Sequence, residues 1–324
     1  MTIAPTPGTT STALADKIIE APTDGKTAPR GVKRPGRPRS RGERVFAVFN
    51  GIILTGFALM CLIPFIHIIG SSFATPGELA TRNFILIPRE WTTAAYDYIL
   101  STPTIFRALG VSTFVTVAGT LLSLILTSMM AYALSKPRLP GRRTINFLVI
   151  FTMLFSGGMI PTFIVVTKLG LLDSLWSLII PVAVNAFNLV IMRNFFQGIP
   201  DSLEEAARID GCSEFGVFVR VVLPLSIASI ATIGLFYAVT YWNTYMHAVL
   251  YINDSSLWPI QVLLRQVVIV SSGMNADATV VDIVPPAQSV KMAVIAVATL
   301  PMLAVYPFVQ RYFVKGAMIG SVKG

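Results

Sequence analysis

Few side chains in this sequence could make or break bonds, and its one nucleotide-binding pattern is incomplete. A phosphate-binding loop needs a glycine, four residues and then Gly-Lys-Ser or Gly-Lys-Thr, because its backbone amides cradle the phosphates. Gly25-Lys26-Thr27 supplies the second half, but Glu20 stands where the first glycine belongs. We therefore expect no ATP hydrolysis, no cofactor and no catalytic residue in this chain, which we predict is not an enzyme.

Residues that commonly bind metals are scattered along the chain. His67 and His247 each lie in apolar surroundings without a second ligand at helical spacing, so both are expected to be hydrogen-bonded core residues. Cys61 lies in an apolar run and Cys212 in a polar loop, which argues against a disulfide or a thiolate site. The sequence predicts no metal site.

Residues 197–224 form a polar segment with the signals of a short helix. Ser202 and Glu205 have the spacing of a capping box, in which each side chain satisfies a backbone amide at the start of a helix. Glu204 and Arg208 are spaced for an ion pair one turn apart, and Gly211 suits the left-handed residue at a helix end. A short helix is therefore predicted between Ser202 and Gly211.

One flank of this helix is small and partly apolar. Leu203, Ala206, Ala207 and Asp210 share it, and Ile209 falls outside it. Such a flank either docks into a groove of a partner protein or lies among the lipid headgroups. The periodicity alone favours neither alternative.

The composition places the chain in a membrane. Of its 324 residues, 54% are hydrophobic and only 13% are charged, with a mean hydropathy of +0.70. A spanning helix needs about 20 mostly apolar residues. The fold class predicted is all-α, a multi-pass membrane protein with six runs of spanning length, at 46–70, 108–134, 145–168, 175–196, 222–250 and 289–310.

The distribution of basic residues predicts the orientation. Nineteen of the 25 lysines and arginines fall on one side of such a six-span arrangement, which includes both termini, so we expect the N- and C-termini to be cytoplasmic. Residues 1–44 hold nine of them in a Pro/Gly/Thr-rich segment that we predict to be a disordered tail preceding a membrane domain, 45–324. Because no aromatic residue is interleaved with them, contact with the lipid bilayer is favoured over nucleic acid.

The predicted spans lack a charged group near their centres. No aspartate or glutamate occurs there, whereas ion-coupled carriers usually need an intramembrane ionisable residue. A pathway driven from outside the bilayer is therefore favoured. A secondary carrier remains the first alternative, and a membrane scaffold without transport activity the second.

A resemblance makes this interpretation specific. Glu205-Ala206-Ala207, three residues, Gly211, nine residues and then Val221-Val222-Leu223-Pro224 resemble the EAA loop of ABC import permeases, with valine in place of isoleucine. Other stretches resemble the carbohydrate-uptake branch, in particular the maltose and aldouronate-type oligosaccharide permeases: Ala131–Ser135, Pro140–Arg143, Gly158–Pro161, Tyr241–Asn243 and Gly316–Gly324. Together they cover nearly everything after residue 45.

The resemblance implies a function, a location and a set of partners. It implies the type I importer permease fold and a permease subunit in the bacterial cytoplasmic membrane. This subunit would move a carbohydrate, and in particular an oligosaccharide. A second homologous permease, a dimer of ABC ATPases and an extracytoplasmic sugar-binding protein would complete the transporter. The loop would contact the ATPase through Glu205, Ala206, Ala207, Asp210 and Gly211, and the C-terminal tail would reach it through Gly320, Val322, Lys323 and Gly324.

Polar residues within the predicted spans are candidates for a substrate path. Amides offer donors and acceptors to sugar hydroxyls, and an indole ring offers an apolar face. Hydrogen bonding between helices is the alternative role for the same residues. The candidates are Asn185, Asn188, Tyr241, Trp242 and Asn243. The outward loop 251–288, with Trp258, Asp277 and Asp282, is a candidate contact for the binding protein.

Overall fold

The computed structural model describes residues 41–271 and 288–321, and these residues form helices joined by short connections. The chain divides within the first helix into two units, residues 1–57 and 58–324. The described part of the first unit belongs to that helix, which begins at Arg41, before the boundary at residue 45 that we predicted. Residues 1–40 of the predicted tail lie outside the described part.

The helices follow one another as fourteen α-helical segments with short 3₁₀ and π turns between them. They are α1 (Arg41–Ser72), α2 (Pro76–Thr81), α3 (Ala94–Ser101), α4 (Pro103–Ser135), α5 (Arg142–Leu154), α6 (Met159–Lys168), α7 (Ala186–Gln197), α8 (Asp201–Ile209), α9 (Glu214–Val217), α10 (Leu223–Leu225), α11 (Ile227–Trp242), α12 (Met246–Tyr251), α13 (Ile260–Ser271) and α14 (Gln288–Ser321). A π segment, Phe218–Val222, joins α9 to α10, and 3₁₀ turns occur at Leu175–Leu178, Ile180–Val182 and Ser255–Leu257.

Membrane-spanning length is reached in two ways. Three stretches of continuous helix in the described residues are long and apolar enough, namely Val45–Ser72, Pro103–Ser135 and Gln288–Val305. Three further pairs pass only when taken together: α5 with α6 is bent by 115°, Leu175–Val182 with α7 by 53°, and Glu214–Leu225 with α11 by 82°. The described residues thus hold three candidate spans, or up to six if each bent pair crosses the membrane as one span, and six is the number that the sequence predicted.

The sharpest bend lies between α5 and α6. Gly158 precedes α6 with φ of 86° and ψ of 174°, a backbone region that is open essentially only to glycine. A β-carbon at Gly158 would find its nearest neighbour, Pro161, at 4.0 Å, so space is not the restriction. The backbone angles alone therefore require glycine at this position.

The centre of the larger unit is the contact of α4 with α11 and α7. Tyr241 of α11 is fully buried, and its hydroxyl lies 2.8 Å from that of Ser123 and 3.2 Å from the carbonyl of Ile179. One turn earlier, Tyr237 lies 2.7 Å from the hydroxyl of Thr127. These hydrogen bonds satisfy the phenols inside an apolar bundle, where an unpaired hydroxyl would be costly.

The long connections between candidate spans contain helices that pack against the bundle. Residues 71–107 include α2 and α3, and residues 251–288 include α13. Ile260 and Leu263 of α13 are buried together with Val290 and Val294 of α14. The sequence did not predict these three helices, because each is shorter than a span and hydropathy averaged over 20 residues does not detect them.

A carboxylate fastens the connection after α6 to the end of α12. Asp173 lies in the left-handed region, with φ of 55°, and its amide donates to the Tyr251 carbonyl at 2.8 Å. Its carboxylate accepts from the Asn253 side chain at 3.1 Å and the Asp254 amide at 3.0 Å, and also from the Asn253 amide. These hydrogen bonds, that of the Asn253 side chain first, lower the pKa of Asp173.

We predict that Gly158→Ala destabilises the protein by about 1–3 kcal/mol, because alanine at this position must adopt a strained backbone. The midpoint of thermal unfolding of the detergent-solubilised chain measures the effect. Gly157→Ala is the matched control, since Gly157 has open space and no positive φ. Equal midpoints for the two variants would show that the bend does not depend on the angles of Gly158.

We predict that the contribution of Asp173 to stability depends on pH. Its pKa is lower in the folded than in the unfolded chain, so the contribution is present above the unfolded pKa of about 4 and is lost as the pH falls through the folded value. Asp173→Asn tolerates the same positive φ but lacks the charge. The difference in unfolding midpoint between wild type and variant should therefore shrink between about pH 6 and about pH 3. A constant difference would contradict the prediction.

Candidate functional site

The polar segment folds into the short helix α8, but it starts two residues earlier than a capping box at Ser202 requires. The helix begins at Asp201 after Pro200, and no side chain caps it. Pro200 has φ of −59°, and its carbonyl accepts from the Leu203 amide, so the first turn forms without Ser202. The predicted capping box between Ser202 and Glu205 was wrong, and Glu205 is exposed.

The end of α8 agrees with the prediction. Gly211 has φ of 85°, the left-handed conformation that the sequence indicated. The amides of Gly211 and Cys212 donate to the carbonyls of Arg208 and Ala207, both at 3.0 Å. These bonds satisfy carbonyls at the helix end and turn the chain towards α9.

The exposed surface of α8 includes most of the residues predicted to contact a partner. Glu205, Ala206, Asp210 and Gly211 are exposed, whereas Ala207 is half-buried against the core. Two larger apolar side chains that sequence reasoning left out of the contact are exposed nearby. Ile209 is 86% exposed and Phe215 is 67% exposed. We therefore add both residues to this surface, called the α8 face below.

Their exposure could have been suspected from the sequence. Ile209 and Phe215 are large apolar residues in a polar loop, and Ile209 falls outside the apolar flank of its own helix. An apolar side chain without an inward position needs a partner or membrane to cover it. Ile209 was nevertheless left out of the predicted contact, because it lies outside the small, partly apolar flank of the helix.

The inward side of α8 is held by ion pairs. The Glu204 carboxylate is buried at 3% exposure and pairs with the ammonium of Lys136, the residue that follows α4. The Arg208 guanidinium lies 3.3 Å from the same oxygen, which confirms the predicted pair. Arg208 also donates to Glu214 at 2.8 and 3.2 Å. Two cations and two carboxylates thus form a network without net charge, called the α8 ion network below.

Aromatic rings cover part of this network. The Lys136 ammonium lies 4.5 Å from the centre of the Tyr132 ring, and the Tyr132 hydroxyl donates to Glu214 at 3.4 Å. The Tyr132 ring in turn packs against Phe218, with their centres 5.0 Å apart. The hydrogen bond that Arg208 donates to Glu214 raises the pKa of Arg208 above its ordinary value, so the guanidinium stays charged.

Sequence reasoning found one pair of this network and missed the rest. Glu204 and Arg208 are one helical turn apart and were visible from spacing. Lys136 lies 68 residues from Glu204 and comes next to it only because α4 ends beside α8. A lysine directly after a long apolar helix is otherwise explained by orientation in the membrane alone.

The candidate substrate-path residues divide by exposure. Asn188, Tyr241 and Trp242 are buried, and the Trp242 indole donates to the Ala298 carbonyl of α14 at 3.2 Å. Asn185 and Asn243 are exposed. The Asn185 side chain accepts from the Asn188 amide at 3.1 Å and so caps α7, while Asn243 donates through its side-chain nitrogen to Val239 at 2.8 Å.

Other sequence candidates are placed as follows. Gly320 lies within α14, and Val322, Lys323 and Gly324 lie outside the described residues. Trp258 is half-buried and donates to the Ile252 carbonyl at 3.1 Å, whereas Asp277 and Asp282 lie outside the described part.

The two histidines pack inside the larger unit. His67 contacts the backbone of Ile85, as expected of a hydrogen-bonded residue, and His247 stacks on Tyr251 at 5.6 Å between ring centres. Within 41–271 and 288–321, no three metal-binding side chains come together. The described residues thus present an exposed helix, α8, at one end of a bundle that carries amide side chains.

Comparison with known proteins identifies similar chains. The sequence pattern of the family described as "binding-protein-dependent transport system inner membrane component" matches residues 123–318. The polygalacturonan/rhamnogalacturonan transport system permease protein YtcP of Bacillus subtilis is 61% identical over 284 residues, covering 87% of this chain and 99% of the relative. The B. subtilis protein LplC is 55% identical over 287 residues, covering 88% and 97%.

A solved structure has the same fold. It is a bacterial ABC transporter involved in the import of the acidic polysaccharide alginate, and one of its chains superposes with a TM-score of 0.78 at 35% identity. The match covers 86% of this chain and 99% of that one. The likeness extends over nearly all the helices listed above.

Proposed function

Because this chain belongs to the inner-membrane components of binding-protein-dependent transport systems, we propose that it is one of two channel-forming permeases of an ATP-driven carbohydrate importer. It binds no nucleotide itself. Two ABC ATPase subunits hydrolyse ATP, a second homologous permease completes the pore, and an extracytoplasmic binding protein delivers the sugar. The observation that carries the proposal is the exposed α8 face, held in place by an ion network around the buried carboxylate of Glu204.

The proposed orientation in the cytoplasmic membrane follows from charge. Lys136 at the end of α4, Arg142 and Arg143 at the start of α5 and Arg208 in α8 lie at the same end of the bundle, near the α8 face. The positive-inside rule assigns that end to the cytoplasm, with both termini on the same side. The α8 face then meets the ATPase, which works in the cytoplasm.

The docking surface proposed for the ATPase combines the predicted residues with the two apolar ones. Glu205 and Asp210 supply charge at the rim, and Ala206 and Gly211 permit close approach. Ile209 supplies a large apolar anchor of the kind that fills a pocket at an interface centre. The C-terminal residues Gly320, Val322, Lys323 and Gly324 are proposed as a second contact.

We propose an acidic oligosaccharide as the substrate. The 61% identical relative is named for transport of polygalacturonan and rhamnogalacturonan, and the structural neighbour imports the acidic polysaccharide alginate. Both polymers contain uronic acids, so the shared chemistry is a chain of sugar rings with carboxylates. Neutral oligosaccharides are the nearest alternative, and the uptake experiment below distinguishes the two.

Within the bundle, Asn185 and Asn243 are the proposed contacts for sugar hydroxyls. Both residues are exposed. The side-chain NH₂ group of Asn185 and the side-chain oxygen of Asn243 take no part in the hydrogen bonds described above. Tyr241 and Trp242 join helices in this conformation, and Asn188 is buried, so all three reach the path only if the helices separate. Their hydrogen bonds favour the packing role that the sequence left open.

We predict that Ile209→Asp weakens binding of the ATPase subunits at least about tenfold, because a charge replaces an apolar anchor. Co-purification of the ATPase with the tagged permease pair measures binding. Ile87→Asp is the matched control, since Ile87 is likewise exposed, at 71%, but lies between α2 and α3. Unchanged co-purification of Ile209→Asp would remove α8 from the ATPase interface.

We predict that the complete transporter in liposomes takes up oligogalacturonate when ATP is enclosed on the ATPase side. Uptake should persist when a proton gradient is collapsed, since the spans carry no central ionisable group. A neutral maltodextrin of equal length is the substrate control. Uptake driven by the gradient without ATP would identify a secondary carrier, and equal uptake of both sugars would refute an acidic specificity.

A further inference from the structure

Two adjacent glutamates on α8 point in different directions. Glu205 is exposed on the α8 face, whereas Glu204 is buried and pairs with Lys136 at the end of α4. We propose that the Glu204–Lys136 pair is the link through which movement of α8 is passed to α4. This inference rests on the proposed function, because it assigns the inward attachment of the helix that the ATPase would move.

The attachment of α8 to the bundle is mostly electrostatic. Of its nine residues, only Glu204 is buried, and only Ala207 and Arg208 are half-buried. A helix of this length is marginal in isolation, so contacts with its surroundings fix its position. Ala207 offers a single methyl group, and Arg208 binds mainly Glu214, which follows α8 in the same loop. Glu204 is therefore the principal tie between α8 and a distant segment.

Lys136 connects this tie to the helix at the centre of the bundle. It follows α4 directly, and its backbone amide donates to the Ala133 carbonyl of that helix. Its ammonium reaches the Glu204 carboxylate and also lies over the Tyr132 ring of α4. A displacement of α8 would therefore move the end of α4 or break an ion pair that is mostly removed from water.

From α4 the contacts continue to a proposed substrate residue. Two turns before its end, the Thr127 hydroxyl lies 2.7 Å from that of Tyr237 in α11. The Tyr237 oxygen also accepts from the Asn185 amide at 3.0 Å. The helix α4 thus connects Lys136 to Thr127, and the Tyr237 hydroxyl connects Thr127 to the backbone of Asn185. A chain of contacts transmits movement only if a change at one end alters the other end, and the experiment below measures this coupling.

The test uses the complete transporter in liposomes and measures both ATPase association and the sugar transported per ATP hydrolysed. Glu204→Gln should retain the ATPase but reduce this ratio at least about threefold, because ATP hydrolysis no longer displaces α4. Glu205→Gln is the matched neighbour on the same helix. It should weaken ATPase association while the complexes that remain keep the wild-type ratio.

A double-mutant cycle tests whether the two partners act together. Lys136→Met should reduce the ratio as Glu204→Gln does, and the double variant should be no worse than either single one. If the single variants do not fold, Lys136→Arg keeps a cation opposite Glu204 and should retain at least half of the wild-type ratio.

Three results would overturn the inference. They are a wild-type ratio in both single variants, additive losses in the double variant, or loss of coupling in a folded Lys136→Arg variant. If wild-type transporter itself shows no ATP-dependent uptake, the proposed function fails instead. The two failures are therefore distinguishable in the same experiment.

Discussion

At Gly119, the ring of Tyr241 lies so close to α4 that a β-carbon would meet ring atoms at 2.7 to 2.8 Å. Helices in lipid gain little from the hydrophobic effect between them, so small residues and hydrogen bonds must hold them together. The hydroxyl contacts of Tyr241 with Ser123 and of Tyr237 with Thr127 meet this need one and two turns after Gly119 on α4. Because these contacts are specific in position, α4 and α11 have one favourable register, and the elements attached to them share it.

The bends follow from the same requirement that backbone groups remain paired in an apolar environment. Where the second bent pair turns into α7, the freed amides of Asn185 and Asn188 bond to the Tyr237 hydroxyl and the Asn185 side chain. Polar side chains are therefore concentrated at a bend because the bend needs them. Asn185, whose side chain satisfies the backbone at the start of α7, is also exposed.

The sequence predicted the class, the six apolar runs and the docking helix, because each depends on composition or on spacing within about 20 residues. The family resemblance added the α8 face. The bends escaped prediction because Gly158 and the π segment Phe218–Val222 alter direction without altering hydropathy. The burial of α13 and the pairing of Lys136 with Glu204 depend on segments far apart in the chain, which periodicity cannot bring together.

The ion network also determines which side of α8 faces outwards. Successive residues of a helix are rotated by about 100°, so burial of Glu204 places Glu205 on a different side. Rotation of α8 about its axis would separate the buried Glu204 carboxylate from Lys136 and break that ion pair, which is costly. An apolar contact of the size of Ala207 would resist such rotation weakly. The buried carboxylate thus fixes the orientation in which α8 presents the exposed Ile209.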